Sequence, residues 1–140
     1  MKAHYTTEAL ATGDGRDGHG RTSDGRLDVQ LAIPKELDGS GDGTNPEQLF
    51  AVGYAACFHS ALRRVARLEH ADVTDSAVGA RVSIGQYPDE RYGLAVELEI
   101  TLPNVEDATA NRLVEQAHQI CPYSNATRGN VDVTLVVTDD

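Results

Sequence analysis

The chain has 140 residues, of which 40% are apolar and 24% charged, with a formal net charge of −10. That length suits one domain, expected over residues 1–140, which buries roughly two-thirds of its unfolded surface without a disulfide or metal staple. The acidic surface repels phosphates and so argues against nucleic acid or an anionic membrane as partners.

In chain order, residues 3–12 alternate loosely around Tyr5 and a run of threonines, which predicts an edge strand. The glycine-rich stretch Gly13–Gly20 predicts turns. Leu27, Val29, Leu31 and Ile33 alternate with polar or small residues, a half-buried strand that Pro34 stops. After a second flexible loop over 38–45, Asn45, Pro46 and Glu47 form a helix start: a side-chain cap, a residue with preset φ and a carboxylate in the first turn. The helix is expected to run to about Glu69. From Leu49 to Leu62 it is apolar nearly all round, so it is expected to be buried on most sides. Residues 76–87 and 92–102 read as two strands joined by the short turn Pro88–Arg91, which permits only antiparallel pairing. A second helix follows over 107–120. Pro122 drives Cys121 out of helical geometry and places it at that helix's end. A polar loop over 123–130 leads to a closing strand, 131–137. The expected class is α+β, with mostly antiparallel sheets around a long buried central helix.

The apolar stretch at 49–62 is interrupted by Gly53, His59 and Ser60 and is shorter than the ~20 residues a membrane-spanning helix needs. The N-terminus lacks the apolar core of a signal peptide, so a cytoplasmic location is expected. In that reducing compartment Cys57 and Cys121 are expected to rest as thiols. Gly13-Asp14-Gly15-Arg16-Asp17-Gly18 fits the spacing of a dinucleotide fingerprint. However, no helix is expected to follow it, and Asp14 and Asp17 would repel a pyrophosphate. A metal site drawn from Cys57, His59, His118 and Cys121 fails on spacing, because Cys57 and His59 point to different sides of a helix.

Cys57 is the residue whose chemistry needs explaining. At helical spacing it shares a face with Phe50, Gly53, Tyr54, Ser60 and Ala61, an apolar setting that raises a thiol's pKa and makes it inert. Making it reactive by a shift of two pKa units takes about 2.7 kcal/mol. The helix macrodipole acts only within the first turn, and Cys57 lies well beyond it. A desolvated arginine supplies roughly 1.5–3 kcal/mol through a charge-assisted contact. Spacing leaves three candidates: Arg64 on the same helix, and Arg16 and Arg128 from loops.

Three segments carry a resemblance. Gly43–Phe58 (GTNPEQLFAVGYAACF) is similar to the first cysteine motif of the organic hydroperoxide resistance proteins of the Ohr/OsmC family. Ile120–Asn130 (ICPYSNATRGN) resembles the second, and Ala11–Gly18 resembles the family's early arginine-bearing loop. Asp14, Asp42 and His59 are small departures. The resemblance implies an OsmC-like fold assembled as an intertwined homodimer. It also implies a thiol peroxidase acting on organic or fatty-acid hydroperoxides, with no metal or bound cofactor. Recycling would come from a lipoylated protein or another dithiol. By the same resemblance Cys57 is the peroxidatic cysteine, Cys121 the resolving one, Arg16 the stabiliser of the thiolate and Glu47 the residue that holds Arg16. The aromatic residues Phe50, Tyr54 and Phe58 are expected to hold an apolar substrate tail. A general OsmC-type peroxidase and a non-enzymatic redox sensor or carrier are the competing readings.

One geometric consequence follows. Glu47 and Cys57 lie ten residues apart, about 15 Å along a continuous helix. Arg16 cannot touch both within one chain. Either the helix breaks near Gly53, or Arg16 and Glu47 reach Cys57 from a partner subunit, which is the favoured expectation.

Overall fold

The computed structural model describes residues Met1–Asp140. The chain packs as two compact units, Met1–Leu49 and Phe50–Asp140.

In the first unit, β1 (Ala9–Thr12), β2 (His19–Thr22) and β3 (Asp28–Gln30) form an antiparallel sheet in the order β1-β2-β3. The expected strand at 3–12 is shorter than its pattern, because β2 has only four residues and pairing ends where Ala9 meets Thr22. The strand expected over 27–33 pairs only through Asp28–Gln30, after which Leu31 turns to bridge Thr44. The Gly13–Gly20 stretch forms a tight 3-10 turn at Gly15–Asp17 and enters β2, so no helix follows its glycines. This unit has almost no core of its own: only Gly18, Leu31, Ala32 and Asn45 are buried.

Helix α1 (Pro46–Leu68) starts in the first unit and continues through the second. The side chain of Asn45 accepts a hydrogen bond from the Gln48 N–H at 2.9 Å, the cap expected from the sequence. The helix passes through Gly53 without a break, which removes one of the two routes by which Arg16 could meet Cys57.

In the second unit β4 (Ala77–Gln86), β5 (Tyr92–Thr101) and β6 (Asp132–Thr138) form a sheet in that order. The β4–β5 hairpin is antiparallel, while β6 runs parallel to β5. The parallel pair follows from the long crossover through α2 (Asp107–Ile120) and a short helix, α3 (Pro122–Thr127), in the segment expected to be a loop. Central strand β5 buries Val96, Leu98 and Ile100 against Tyr54, Phe58 and Leu62 of α1 and Leu113 and Val114 of α2. The expectation that α1 is buried on most sides is not met within one chain. Its inner face is buried from Tyr54 to Ala66, whereas Val52 on the opposite side is 70% exposed. The reason is that the β5 and α2 side chains cover one side of the helix only. No helix is long and apolar enough to cross a membrane.

Candidate active site

Within the second unit, α1 carries Cys57 and the end of α2 carries Cys121. Cys121 leaves the helix with φ −63° and ψ 124°, an extended conformation imposed by the following proline. The two sulfurs stand 3.7 Å apart, both as free thiols, with Cys121 fully buried and Cys57 partly exposed. A disulfide requires about 2.05 Å, so closure from 3.7 Å needs the sulfurs to approach by about 1.7 Å. Burial pushes the Cys57 thiol above its usual value, a backbone contact from Tyr123 pulls it back, and neighbouring Cys121 raises it again. Within unit 2 the Tyr123 contact opposes the burial of Cys57 only in part, so the thiol stays raised.

A network of hydroxyls fixes the segment after Cys121. The buried Tyr54 hydroxyl lies 2.9 Å from the Ser124 hydroxyl and 3.2 Å from that of Thr127, and His118 Nδ1 meets Ser124 Oγ at 2.8 Å. These contacts tie α3 to α1 and α2 right beside Cys121. The sequence reading missed Tyr123, Ser124, Thr127 and His118, since a short polar segment gives no periodic signal. The available hints were Pro122, a favoured first residue of a helix, and the place of Tyr123, Ser124 and Thr127 within the Ile120–Asn130 motif.

The three aromatics expected to line the site lie at different depths. Phe50 is half-buried and packs edge-on against Tyr54 at 6.0 Å between ring centres. Tyr54 and Phe58 are fully buried core residues. The open groove at Cys57 is walled instead by Ser60, Ala61, Val65, Leu68, Ile120 and Pro122, and has a volume of about 1020 Å³. Gly53 lets the Tyr123 ring lie on α1, because a Cβ there would stand 2.8 Å from the Tyr123 hydroxyl. Gly53→Ala gains roughly 0.5–1 kcal/mol of helix propensity, which displacement of that ring offsets. The expected result is a nearly unchanged melting temperature but several-fold slower Cys57–Cys121 disulfide formation, read by thermal melts and by thiol loss after oxidation.

The first unit presents a fixed ion pair. The Arg16 guanidinium donates from Nη1 to Glu47 Oε2 at 2.9 Å and from Nη2 to Oε1 at 2.7 Å, a bidentate contact. Asp17 anchors the arginine loop by accepting the Ile33 N–H at 2.8 Å, and the Gly18 carbonyl accepts the Leu31 N–H at 2.9 Å. Gly18 is obligatory here, since a Cβ would meet the Thr12 carbonyl oxygen at 2.0 Å. The hydrogen bond from Arg16 holds the Glu47 carboxyl below the ordinary carboxylate value, against an opposing push from partial burial. Glu47 in turn raises Arg16. A carboxyl lowered in the folded state contributes stability that is fully present above its unfolded value and is lost as pH falls through the lowered folded value. Thermal stability is accordingly expected to drop on acidification below about 4.5, the ordinary carboxylate value. In Glu47→Gln this component of the drop disappears, which melts across that pH range would reveal.

The other arginines are placed differently. Arg128 donates to Asn125 Oδ1 and to the His118 carbonyl, both at 2.6 Å, and so braces α3. Arg64 lies on the groove wall two helical turns beyond Cys57. The histidines considered for a metal are each occupied: His59 Nε2 meets Ser76 Oγ at 2.9 Å and His118 meets Ser124. No three His, Cys, Asp or Glu side chains converge on a metal-sized site.

The chain resembles known proteins over nearly its whole length. The family model described as OsmC-like protein matches residues 39–136. An organic hydroperoxide resistance protein of Xanthomonas axonopodis pv. citri (strain 306) is 51% identical over 138 residues, covering 97% of this chain and 96% of the relative. The crystal structure of an organic hydroperoxide resistance protein OsmC from Legionella pneumophila is 50% identical with a TM-score of 0.93, covering 98% of this chain and 99% of that one. An organic hydroperoxide resistance protein from Elizabethkingia anophelis superposes with a TM-score of 0.95 at 47% identity over 100% of both chains. With its paired thiols and its Arg16–Glu47 pair standing in the motifs that carried the resemblance, the chain belongs to the OsmC-like family, among the organic hydroperoxide resistance proteins.

Proposed function

We infer that the protein is a thiol-dependent peroxidase that reduces organic and fatty-acid hydroperoxides to alcohols, residues 1–140 working as a single OsmC-like domain. The observation that carries this reading is the 3.7 Å approach of a partly exposed thiol, Cys57, to a fully buried one, Cys121. An exposed cysteine next to a buried partner suits attack on an external oxidant followed by internal capture.

The Cys57 thiolate attacks the distal oxygen of the hydroperoxide, the O–O bond breaks, and the alkoxide leaves as alcohol after taking a proton. Cys57 is thereby oxidised to a sulfenic acid. The Cys121 sulfur attacks it, expelling water and forming the disulfide. An external dithiol, such as a lipoyl group, then restores both thiols by exchange and departs as its own disulfide. No metal or bound cofactor enters this sequence of steps.

The cation that the thiolate requires is Arg16. Glu47 uses one hydrogen on each Nη and leaves the remaining N–H donors free for a thiolate or a peroxide oxygen. Because α1 is continuous, Glu47 and Cys57 are separated by about 15 Å of axial rise, so the Arg16 that serves a given Cys57 comes from a second copy. A homodimer also accounts for a first unit almost without a core, where Leu10 of β1 is 68% exposed, and for the outer side of α1, where Val52 is 70% exposed. Phe50 lies at the edge of the aromatic cluster, where a substrate tail can reach it, and Tyr54 and Phe58 support it from within.

The test is oxidation with one equivalent of an organic hydroperoxide, followed by peptide mapping and by turnover with dihydrolipoamide. The expected result is a Cys57–Cys121 disulfide, rapid recycling, and a large preference for tert-butyl or lipid hydroperoxide over hydrogen peroxide, which has no apolar tail to bind. A preference near unity favours a general OsmC-type peroxidase. Oxidation without recycling favours a redox sensor.

A further inference from the structure

Tyr54 is fully buried yet carries a hydroxyl, and none of the peroxide chemistry uses that group. Its oxygen lies 2.9 Å from Ser124 Oγ and 3.2 Å from Thr127 Oγ1, and His118 Nδ1 lies 2.8 Å from Ser124 Oγ. Tyr54, Ser124 and Thr127 are buried by their own chain, so the cluster is closed whether or not a second copy packs nearby.

Counting hydrogens gives the cluster a direction. Each hydroxyl has one hydrogen to donate, and a carbonyl only accepts. The Thr127 hydroxyl donates to the Ser124 carbonyl at 3.2 Å. Tyr54 then donates to Thr127, Ser124 to Tyr54, and His118 to Ser124. No buried side-chain polar atom is left without a partner. The directed chain requires His118 to carry its hydrogen on Nδ1.

This chain surrounds Cys121. His118 and Ser124 stand three residues to either side of it, and their bond closes the corner where the extended Cys121 separates α2 from α3. The Cys121 N–H donates to the Ala117 carbonyl at 2.9 Å, and its carbonyl accepts the Asn125 N–H at 3.0 Å, so both helices hold its backbone. Tyr54 fastens the corner to α1 three residues before Cys57, on the same face and about 4.5 Å away along the axis.

We propose that Tyr54 is a positioning residue for disulfide closure: through Ser124 and Thr127 its hydroxyl holds the α2–α3 corner on α1 and so sets Cys121 at its 3.7 Å from Cys57. The step it serves is attack of the Cys121 sulfur on the Cys57 sulfenic sulfur. The S–S bond forms, the S–O bond breaks, and the hydroxyl leaves as water with the proton from Cys121. This rests on the reading of Cys57 as the thiol that meets the peroxide.

The two chemical steps are timed separately in the reduced full-length protein given one equivalent of tert-butyl hydroperoxide. Alcohol release reports the first, and mass spectrometry of quenched samples reports sulfenic acid and disulfide. In Tyr54→Phe, which keeps the ring, closure should slow about tenfold, the effect of losing one buried hydrogen bond. The corner also carries the Tyr123 contact to Cys57, so alcohol release should fall too, but by less than closure. Sulfenic acid then accumulates, and excess hydroperoxide converts it to sulfinic acid. Thr127→Val should act in the same direction and Thr127→Ser should restore closure. Leu102→Val, in the core beside the opposite end of α2, should lower the melting temperature and leave the ratio of the two rates unchanged. Nitrogen-15 spectra of the imidazoles at pH 7.5 supply an independent readout. Burial and then Arg128 lower the His118 pKa against Glu115, so the ring is neutral there. Wild type should show Nδ1–H. In Tyr54→Phe the freed Ser124 hydrogen can turn to His118, and the Nε2–H form should gain. The proposal is overturned if Tyr54→Phe and Thr127→Val close as fast as wild type, or if Leu102→Val shifts the ratio as they do. It is also overturned if wild-type His118 carries its hydrogen on Nε2. Should Tyr54→Phe fail to fold, the Thr127 pair decides the matter. Absence of any Cys57–Cys121 disulfide in wild type would instead sink the peroxidase reading, and this proposal with it.

Discussion

Cys57→Ser is expected to abolish hydroperoxide reduction, lowering turnover by roughly 10⁴-fold or more, because a serine hydroxyl has neither the thiolate's nucleophilicity nor an accessible sulfenic state. Cys121→Ser should behave differently. It keeps the first oxidation, so one equivalent of hydroperoxide yields one equivalent of alcohol and a Cys57 sulfenic acid that a dimedone-type reagent traps. Recycling by a dithiol then becomes slow, since no disulfide is available for exchange. The contrast follows from geometry: Cys57 is the partly exposed sulfur and Cys121 the fully buried one, 3.7 Å away. Single-turnover alcohol release and mass spectrometry of the protein distinguish the two variants. If Cys121→Ser lost the first oxidation as completely as Cys57→Ser, the division of roles would be wrong.

Complementation between two dead variants is the second large effect. Arg16→Ala keeps Cys57 but removes the cation proposed to offset the burial-raised thiol. Cys57→Ser keeps Arg16 and Glu47 but has no nucleophile. Mixed and allowed to exchange subunits, the two should recover about a quarter of wild-type activity. In a two-fold dimer, half of the random pairs are mixed, and each mixed pair holds one complete site. Were Arg16 to act on Cys57 within its own chain, the mixture would stay as inactive as its components. The expectation depends on α1 being unbroken from Pro46 to Leu68, which separates Glu47 from Cys57 by several turns while Glu47 grips Arg16 through two hydrogen bonds of 2.9 and 2.7 Å. Subunit-exchange kinetics and steady-state assays decide it.

Elements whose signals are local were legible in the chain. The start of α1 was readable from Asn45-Pro46-Glu47, the extent of α2 from its apolar face and Pro122, and the β4–β5 hairpin from alternation on either side of a short turn. The two thiols and the Arg16–Glu47 pair were legible as long motifs, and the structure brings each pair together. The pairs themselves came from resemblance; spacing alone left Arg16, Arg64 and Arg128 equal. What separates them is where they fold: Arg128 braces α3, Arg64 stands two turns from the thiol, and Arg16 is locked to Glu47.

Elements held by distant partners were not legible. Strand β2 has no apolar alternation and exists because β1 and β3 pair with it on both sides. Helix α3 is too short to be stable by propensity and is fixed by the Ser124 and Thr127 hydroxyls on Tyr54. The parallel register of β6 depends on the path taken across α2 and α3, which no window of residues contains.

The sequence by itself thus determined that this chain is acidic and carries two thiols, one in an apolar helix and one at a proline-stopped helix end. Only the tertiary structure decided which sulfur is open to an oxidant, how close the second one stands, and that the inner aromatics are core while the groove is walled by the next turns of α1. The physical reason is that composition and periodicity report what a residue prefers, whereas reactivity depends on desolvation and on distances between groups 31 or 64 positions apart, which exist only once the chain has folded.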